Sequence, residues 1–502
     1  MKRVIPDIIC LMLLAWAALN LSLFGAGDRA DKYVQDVVNT HFGKLLYNYP
    51  PHDEITVLLL TDHALNTAEE QGRWPARYDF HGRVLKAVRT HSPQAVFIDF
   101  MWLSQRPQNP DGSYQDGGQL LRQLRAFKEE NIPVYLAGSP AVRGNWPELE
   151  GLVEWVAVPL AFDVADFVAR SYPPAGDFDT GISTEANISA RGYPGASVGE
   201  RRKMESAAFR IARDRCARLQ HASHPAPPEC AKPFPESIST PMDIVWGSQL
   251  NEENHAWMHP DRAPRETSYR DVLLKGHVGV SLDTPFSNTL YVRDLLNPVA
   301  DSKEEIHRQQ QHYLHNKIVF YGANLQGVND LIFTPARTIQ PGVYFHAMAL
   351  DNLLNWGMDY KSEEGVGGGT DASGLLSHQW ISMLAVFPVI VLTALLHYTA
   401  NRKSACPKLS ALSSLVAWGK KYPLLRLVPI TLALLAWFGA IAFFEFRYLN
   451  YSASVVLGYV QVIVVGFFLE KTETLERLRA HVQRSWQWLH KRIPALKRGV
   501  QQ

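Results

Sequence analysis

Four side chains of types that bind ions or move protons stand where apolar runs end. Asp62 follows the run 55–60, Asp99 follows 95–98, and Asp330 and His346 flank the loop after 318–321. Carboxylates and an imidazole brought together offer oxygen and nitrogen ligands to a hard or borderline cation, or acceptors to a polar ligand. They also supply the parts of an acid–base pair. Against this stands the commoner fate of such residues. An Asp at a strand end caps the next helix or turn, and a His at a helix start packs or caps it. No HExxH, phosphate-binding loop or GxGxxG accompanies the four. No catalytic residue is therefore assigned, and neither a metal nor a cofactor is expected. Arg73 and Trp74 add a cation and an aromatic face for a ligand, or else a Trp-Pro packing corner. Thr334, before Pro335, is either a ligand contact or a brace for its loop.

The elements that must hold these residues follow from the pattern of apolar runs. The run 318–321 reads as a buried strand stopped by Gly322. A polar loop follows, then a turn at Pro341-Gly342, then a helix with His346, Ala347, Leu350, Leu353 and Leu354 at helical spacing. Upstream, the runs 55–60, 95–98 and 133–137 are continuous rather than alternating, as in strands buried on both faces. Val84, Leu85 and Val88 mark a helix between the first two runs, and 118–129 reads as a helix before the third. This β-α-β-α-β order predicts a mostly parallel sheet with helical crossovers. On that reading Asp62 and Asp99 end neighbouring strands, and a loop beyond a strand's carboxyl end is where α/β sheets place ligands. Segments 242–246, 277–282 and 289–292 are further candidate strands.

The chain of 502 residues also carries an apolar run at 8–25 and three more at 380–398, 424–444 and 451–469. Each is about the ~20 residues needed to cross a bilayer as a helix. Lys and Arg crowd three places: residues 2–3, the segment 402–426 and the tail after 470. Positive residues beside spans mark the cytoplasmic side, so both termini are expected inside and the large domain outside. Under that topology the exported part carries 34 basic and 45 acidic residues, an excess that argues against binding nucleic acid. The expected division is a first span at 1–27, an extracytoplasmic α/β domain at 28–364, a Gly-rich tether at 365–378, three spans at 379–469 and a basic tail at 470–502. Cleavage of the first run as a signal peptide is the alternative to its retention as an anchor.

The stretch ITVLLLTDHALNTAEEQGRWPARYDF, the strand ending in Asp99, and the closing Gly322, Asp330, Thr334-Pro335, Pro341-Gly342-Val343, His346-Ala347 and Asp351-Asn352-Leu353-Leu354 together resemble the second CHASE family. These are extracytoplasmic sensory domains associated with cyclases and histidine kinases. The resemblance covers both ends of residues 50–355 and the layout of one span before and three after. It is weak over about 140–300, and Thr61 stands where the family has an acidic residue. It implies a sensor; the candidate ligand contacts remain those read from the residues themselves, Asp62, Arg73, Trp74, Asp99, Asp330, Thr334 and His346.

Cys216 and Cys230 flank a Pro-rich segment in the exported part, where a disulfide is expected, with two buried thiols as the alternative. In the tail, Leu475, Leu478, Val482, Trp486 and Leu489 recur at helical spacing. They form either a helix lying on anionic lipid or a docking helix for a partner. The tail is too short for a kinase or cyclase. The expectation is thus a multi-span inner-membrane sensor or adaptor without enzymatic activity. It passes its signal through the membrane bundle and tail to a separate cytoplasmic protein, with self-association also open. The alternatives are a membrane-perturbing effector that oligomerises when triggered and, ranked lower, an exported hydrolase using the strand-end carboxylates.

Overall fold

The computed structural model describes residues 36, 53–67, 70–105, 116–139, 145–159, 162, 167–176, 204–222, 227–247, 251, 254, 285–298, 303–328, 330–335 and 339–362. All belong to one compact unit, Asp36–Ser362. The four expected spans, the Gly-rich tether, the tail residues Leu475 to Leu489 and the candidate strand 277–282 lie outside the described residues. Among the described residues no helix is long and apolar enough to cross a membrane.

Strand β1 (Ile55–Thr61) runs into the single turn α1 (Asp62–Leu65) and then α2 (Tyr78–Arg89). β2 (Ala95–Ile98), α3 (Gly118–Glu129), β3 (Val134–Ala137) and β4 (Glu154–Val156) continue the alternation. Three two-residue strands follow, β5 (Ser171–Tyr172), β6 (Ala175–Gly176) and β7 (Met204–Glu205), then α4 (Ala207–Ala222) and β8 (Met242–Asp243). β9 (Asn288–Tyr291), α5 (Val292–Leu296), α6 (Lys303–Leu314) and β10 (Ile318–Asn324) complete the main sheet. A hairpin of β11 (Leu331–Phe333) and β12 (Ile339–Pro341) leads to α7 (Val343–Trp356).

The main sheet has the order β4-β3-β2-β10-β1-β9, with every pairing parallel. The expected parallel sheet is present, but β1 and β2 are not neighbours. β10, the last strand of this sheet in sequence, lies between them, so Asp62 and Asp99 do not end adjacent strands. One face of the sheet packs Leu58, Val96, Ile98, Val319 and Tyr321 against Val84, Leu85, Leu120, Leu124 and Phe127 of α2 and α3. Each such fully buried side chain contributes about 1.5–3 kcal/mol. On the other face α7 lies along β1 and β10 and packs against α4.

Two local readings are corrected. Gly322 does not stop its strand, since β10 continues to Asn324. Its lack of a side chain serves close packing instead, because a Cβ there would sit 2.5 Å from Cβ of Val343. Helix α7 is not apolar on one face alone. Residues 343–354 are all buried, because the helix is enclosed between sheet and α4. Cys216 and Cys230 form the expected disulfide. Beside it, buried Arg215 binds Glu54 at the start of β1 (2.7 and 2.8 Å) and Glu229 (2.9 Å), tying α4 to the sheet.

Candidate functional site at the crevice beside β10

Successive residues of a strand point to opposite faces. Along β2 and its continuation, Val96 and Ile98 face α2 and α3, while Phe97 and Asp99 face α7. The phenyl ring of Phe97 meets the His346 imidazole at 5.5 Å, and Asp99 Oδ1 lies 4.0 Å from His346 Nε2. His346 sits in the first turn of α7, buried with its other nitrogen, Nδ1, 2.9 Å from the Tyr172 hydroxyl. That hydroxyl also accepts a bond from the Ala208 amide at 3.3 Å. Burial holds the imidazole neutral by lowering its pKa to about 3.

Asp330 completes the cluster from the loop after β10. Its carbonyl accepts from the Gly342 amide at 2.9 Å, which fixes the loop against the start of α7. A Cβ on Gly342 would collide with the Asp330 carboxylate, so glycine there is a requirement of this contact. Burial, and then the charge of Asp330, raise the Asp99 carboxyl well above the usual carboxylate range. Burial likewise raises Asp330. Among the described residues no Lys or Arg pairs with either carboxylate. Two such groups in one apolar site favour states carrying fewer than two negative charges.

The topology explains why the cluster forms here. The chain leaves β1 and β2 toward the α2 face but leaves β10 toward the α7 face. The crevices beside β10 are therefore switch points of the kind where open α/β sheets hold ligands. Asp99, Asp330 and His346 line the one between β2 and β10. Asp62 sits at the other, where its Oδ2 accepts from the exposed Gln326 amide at 3.0 Å. That is a loop cap. Thr334 is fully buried in the loop before the turn to α7. Arg73 and Trp74 are not part of the cluster. Arg73 bonds Gln71 on the surface at 3.0 Å. Trp74, before a cis proline, meets Phe100 at 5.8 Å with the rings tilted, and the Phe100 ring packs against Tyr321 and His81 on the opposite face of the sheet. Among the described residues no three His, Cys, Asp or Glu side chains converge as metal ligands.

Sequence reasoning missed Tyr172. It lies in the stretch without a readable pattern, and only the strand pair β5–β8 carries it under α7. His81 and its partner Tyr321 were missed too, although the helical phase of Val84, Leu85 and Val88 places His81 on the same buried face.

A family model described as the CHASE2 domain matches residues 9–395. No curated protein and no solved structure matches the chain.

Proposed function

We propose, from the premise that this chain belongs to the CHASE2 domain family, that the unit detects a ligand or partner at the crevice between β2 and β10 and relays the event along α7. CHASE2 domains are extracytoplasmic sensory domains. The observation that carries the finer reading is the course of α7. The helix starts at the site, with His346 in its first turn, and ends at Trp356, six residues before the unit ends at Ser362. Fourteen residues at 1.5 Å each make a rod of about 20 Å. The rod is buried between sheet and α4, so a displacement at its start moves its end rather than dissipating in solvent. The two carboxyls supply the drive. Burial disfavours their charged forms, and a cationic ligand would favour those forms.

In this reading the site binds and relays but does not catalyse. The segments after Ser362 cross the inner membrane, and the basic tail with Leu475, Leu478, Val482, Trp486 and Leu489 hands the signal to a separate cytoplasmic protein. The test uses the full chain in nanodiscs and follows hydrogen exchange at residues 353–362. D99N and D330N, which neutralise the site without removing its bulk, are expected to change exchange at this remote end. Unchanged exchange in both variants, with the fold intact by circular dichroism, would remove α7 as the relay.

A further inference from the structure

The hairpin after Asp330 turns an apolar face outward. Its register pairs Leu331 with Pro341, Ile332 with Gln340 and Phe333 with Ile339. Ile332 and Gln340 point inward and are buried. Leu331, Phe333 and Ile339 are 51%, 47% and 54% exposed. Phe167, at 62%, stands beside them, because the Ala169 amide bonds the Phe333 carbonyl at 2.8 Å. Soluble surfaces usually scatter large apolar side chains singly, and a contiguous group marks a contact surface.

The same strand that flanks this face is stitched to both ends of the unit. Arg170 holds Asp36, where the described chain begins, by two 2.8 Å bonds between buried groups. The Arg170 carbonyl accepts from Ile244, and the adjacent Asp243 amide bonds the carbonyl of Lys361, where the described chain ends (both 2.8 Å). The segment beside the apolar face thus contacts residues at both sequence limits of the unit, Asp36 and Lys361. The apolar run 8–25 ends 11 residues before Asp36. Even fully extended, that connection reaches no more than about 40 Å.

We propose that Leu331, Phe333 and Ile339, with Phe167 at their rim, bed into the interfacial layer of the lipid bilayer. The inference rests on the membrane reading of the flanking runs. Apolar and aromatic side chains of this kind suit the headgroup–acyl boundary. Asp330 directly precedes Leu331, so the lipid surface becomes one wall of the mount that positions the sensing carboxylate.

The experiment labels single cysteines with an environment-sensitive nitrobenzoxadiazole dye in the full chain. Cys10 and Cys406 are changed to Ser and the disulfide is kept. The protein is reconstituted in phosphatidylcholine vesicles with or without brominated acyl chains. Labels at F333C and I339C are expected to lose emission to the brominated lipid, while E129C on exposed α3 keeps it. V455C, inside the last apolar run, reports membrane insertion itself. Quenching at V455C without quenching at 333 and 339 overturns the docking face alone. No quenching at V455C overturns the membrane reading and the docking face with it. A blue-shifted but unquenched label at 333 means protein, such as a second copy, covers the face, and this too overturns the proposal.

Discussion

Each face of the sheet buries a histidine whose Nδ1 lies 2.9 Å from a tyrosine hydroxyl, and the surroundings of the two pairs differ. His81 and Tyr321 lie under α2, walled by the rings of Phe100 at 5.0 Å and Trp102 at 5.8 Å. The carboxylate in that neighbourhood, Glu70, is answered by the Arg77 amide at 3.2 Å and by Arg83 at 3.5 Å. Tyr172 and His346 lie under α7, and there the neighbouring carboxyls are Asp99 and Asp330, which no Lys or Arg among the described residues neutralises. The pair itself is thus a packing device on both faces. What sets the α7 pair apart is a pair of carboxyls at the edge of the sheet, beside β10, that no described Lys or Arg compensates. A buried group without a counter-charge is costly, and that cost makes it responsive to whatever supplies one.

The comparison sharpens at the disulfide, which clamps the α7 side; no cross-link joins the α2 side among the described residues. Replacing both Cys216 and Cys230 with Ser opens a loop spanning 14 residues. The expected loss is about 3 kcal/mol in urea denaturation. Hydrogen exchange is expected to rise in α4 and α7 while α2 stays protected. Equal loosening of both faces would mean the sheet transmits the change and the faces are not separate devices.

Removing each tyrosine hydroxyl tests the pairs directly. Tyr321→Phe and Tyr172→Phe each strand a buried imidazole nitrogen, at about 1–3 kcal/mol apiece. Their stability losses should be similar. Their effect on exchange at 353–362 should not be, because Tyr172 alone orients the ring that faces Asp99. A Tyr321→Phe variant that alters the end of α7 as strongly would erase the distinction drawn here.

A smaller effect separates the carboxyls from the imidazole by pH. Asp99 binds its proton more tightly folded than unfolded. The stability this contributes is present in acid and lost as pH rises through the folded pKa. His346 has the opposite sign. Unfolded chain binds a proton near 6.5 and the folded site only near 3, so stability falls as pH drops through that window. Asp99→Asn removes the first slope and keeps the second. The variant is expected to match the wild type near pH 4 and to melt higher than it at pH 8. Parallel curves would show that Asp99 is ionised at little cost and is no switch.

Much of this was legible in the chain. Continuous apolar runs gave parallel strands, and the Gly, Pro and Asp punctuation gave the loop that carries Asp330. The placement of β10 was not legible, because strand order is decided by long-range crossover, and periodicity reports only local burial. That one insertion moved Asp62 out of the site. Tyr172 was hidden for a related reason. A two-residue strand leaves no pattern, and its role comes from a partner 70 residues away, Met242. Arg73 and Trp74 attracted notice as a motif, but alternation along β2 sends Phe100 and Asp99 to opposite faces, and Trp74 follows Phe100.

The smallest expected effect is at Asp62, and it tests the crevice assignment. Its carboxylate reaches one amide, that of Gln326, from the solvent side. Asp62→Ala should cost less than about 0.5 kcal/mol, as surface changes usually do. It should leave exchange at 353–362 as in the wild type, where Asp99→Asn and Asp330→Asn change it. Asp62 borders the β1–β10 crevice, and Asp99 borders the β2–β10 crevice. Both open at the same sheet edge, and both are switch points by topology. If Asp62→Ala reproduces the Asp99 phenotype, topology alone marks the site and the uncompensated carboxyl pair does not. If it is silent, the two crevices differ by chemistry rather than by position, and the pair under α7 is the feature that selects between them.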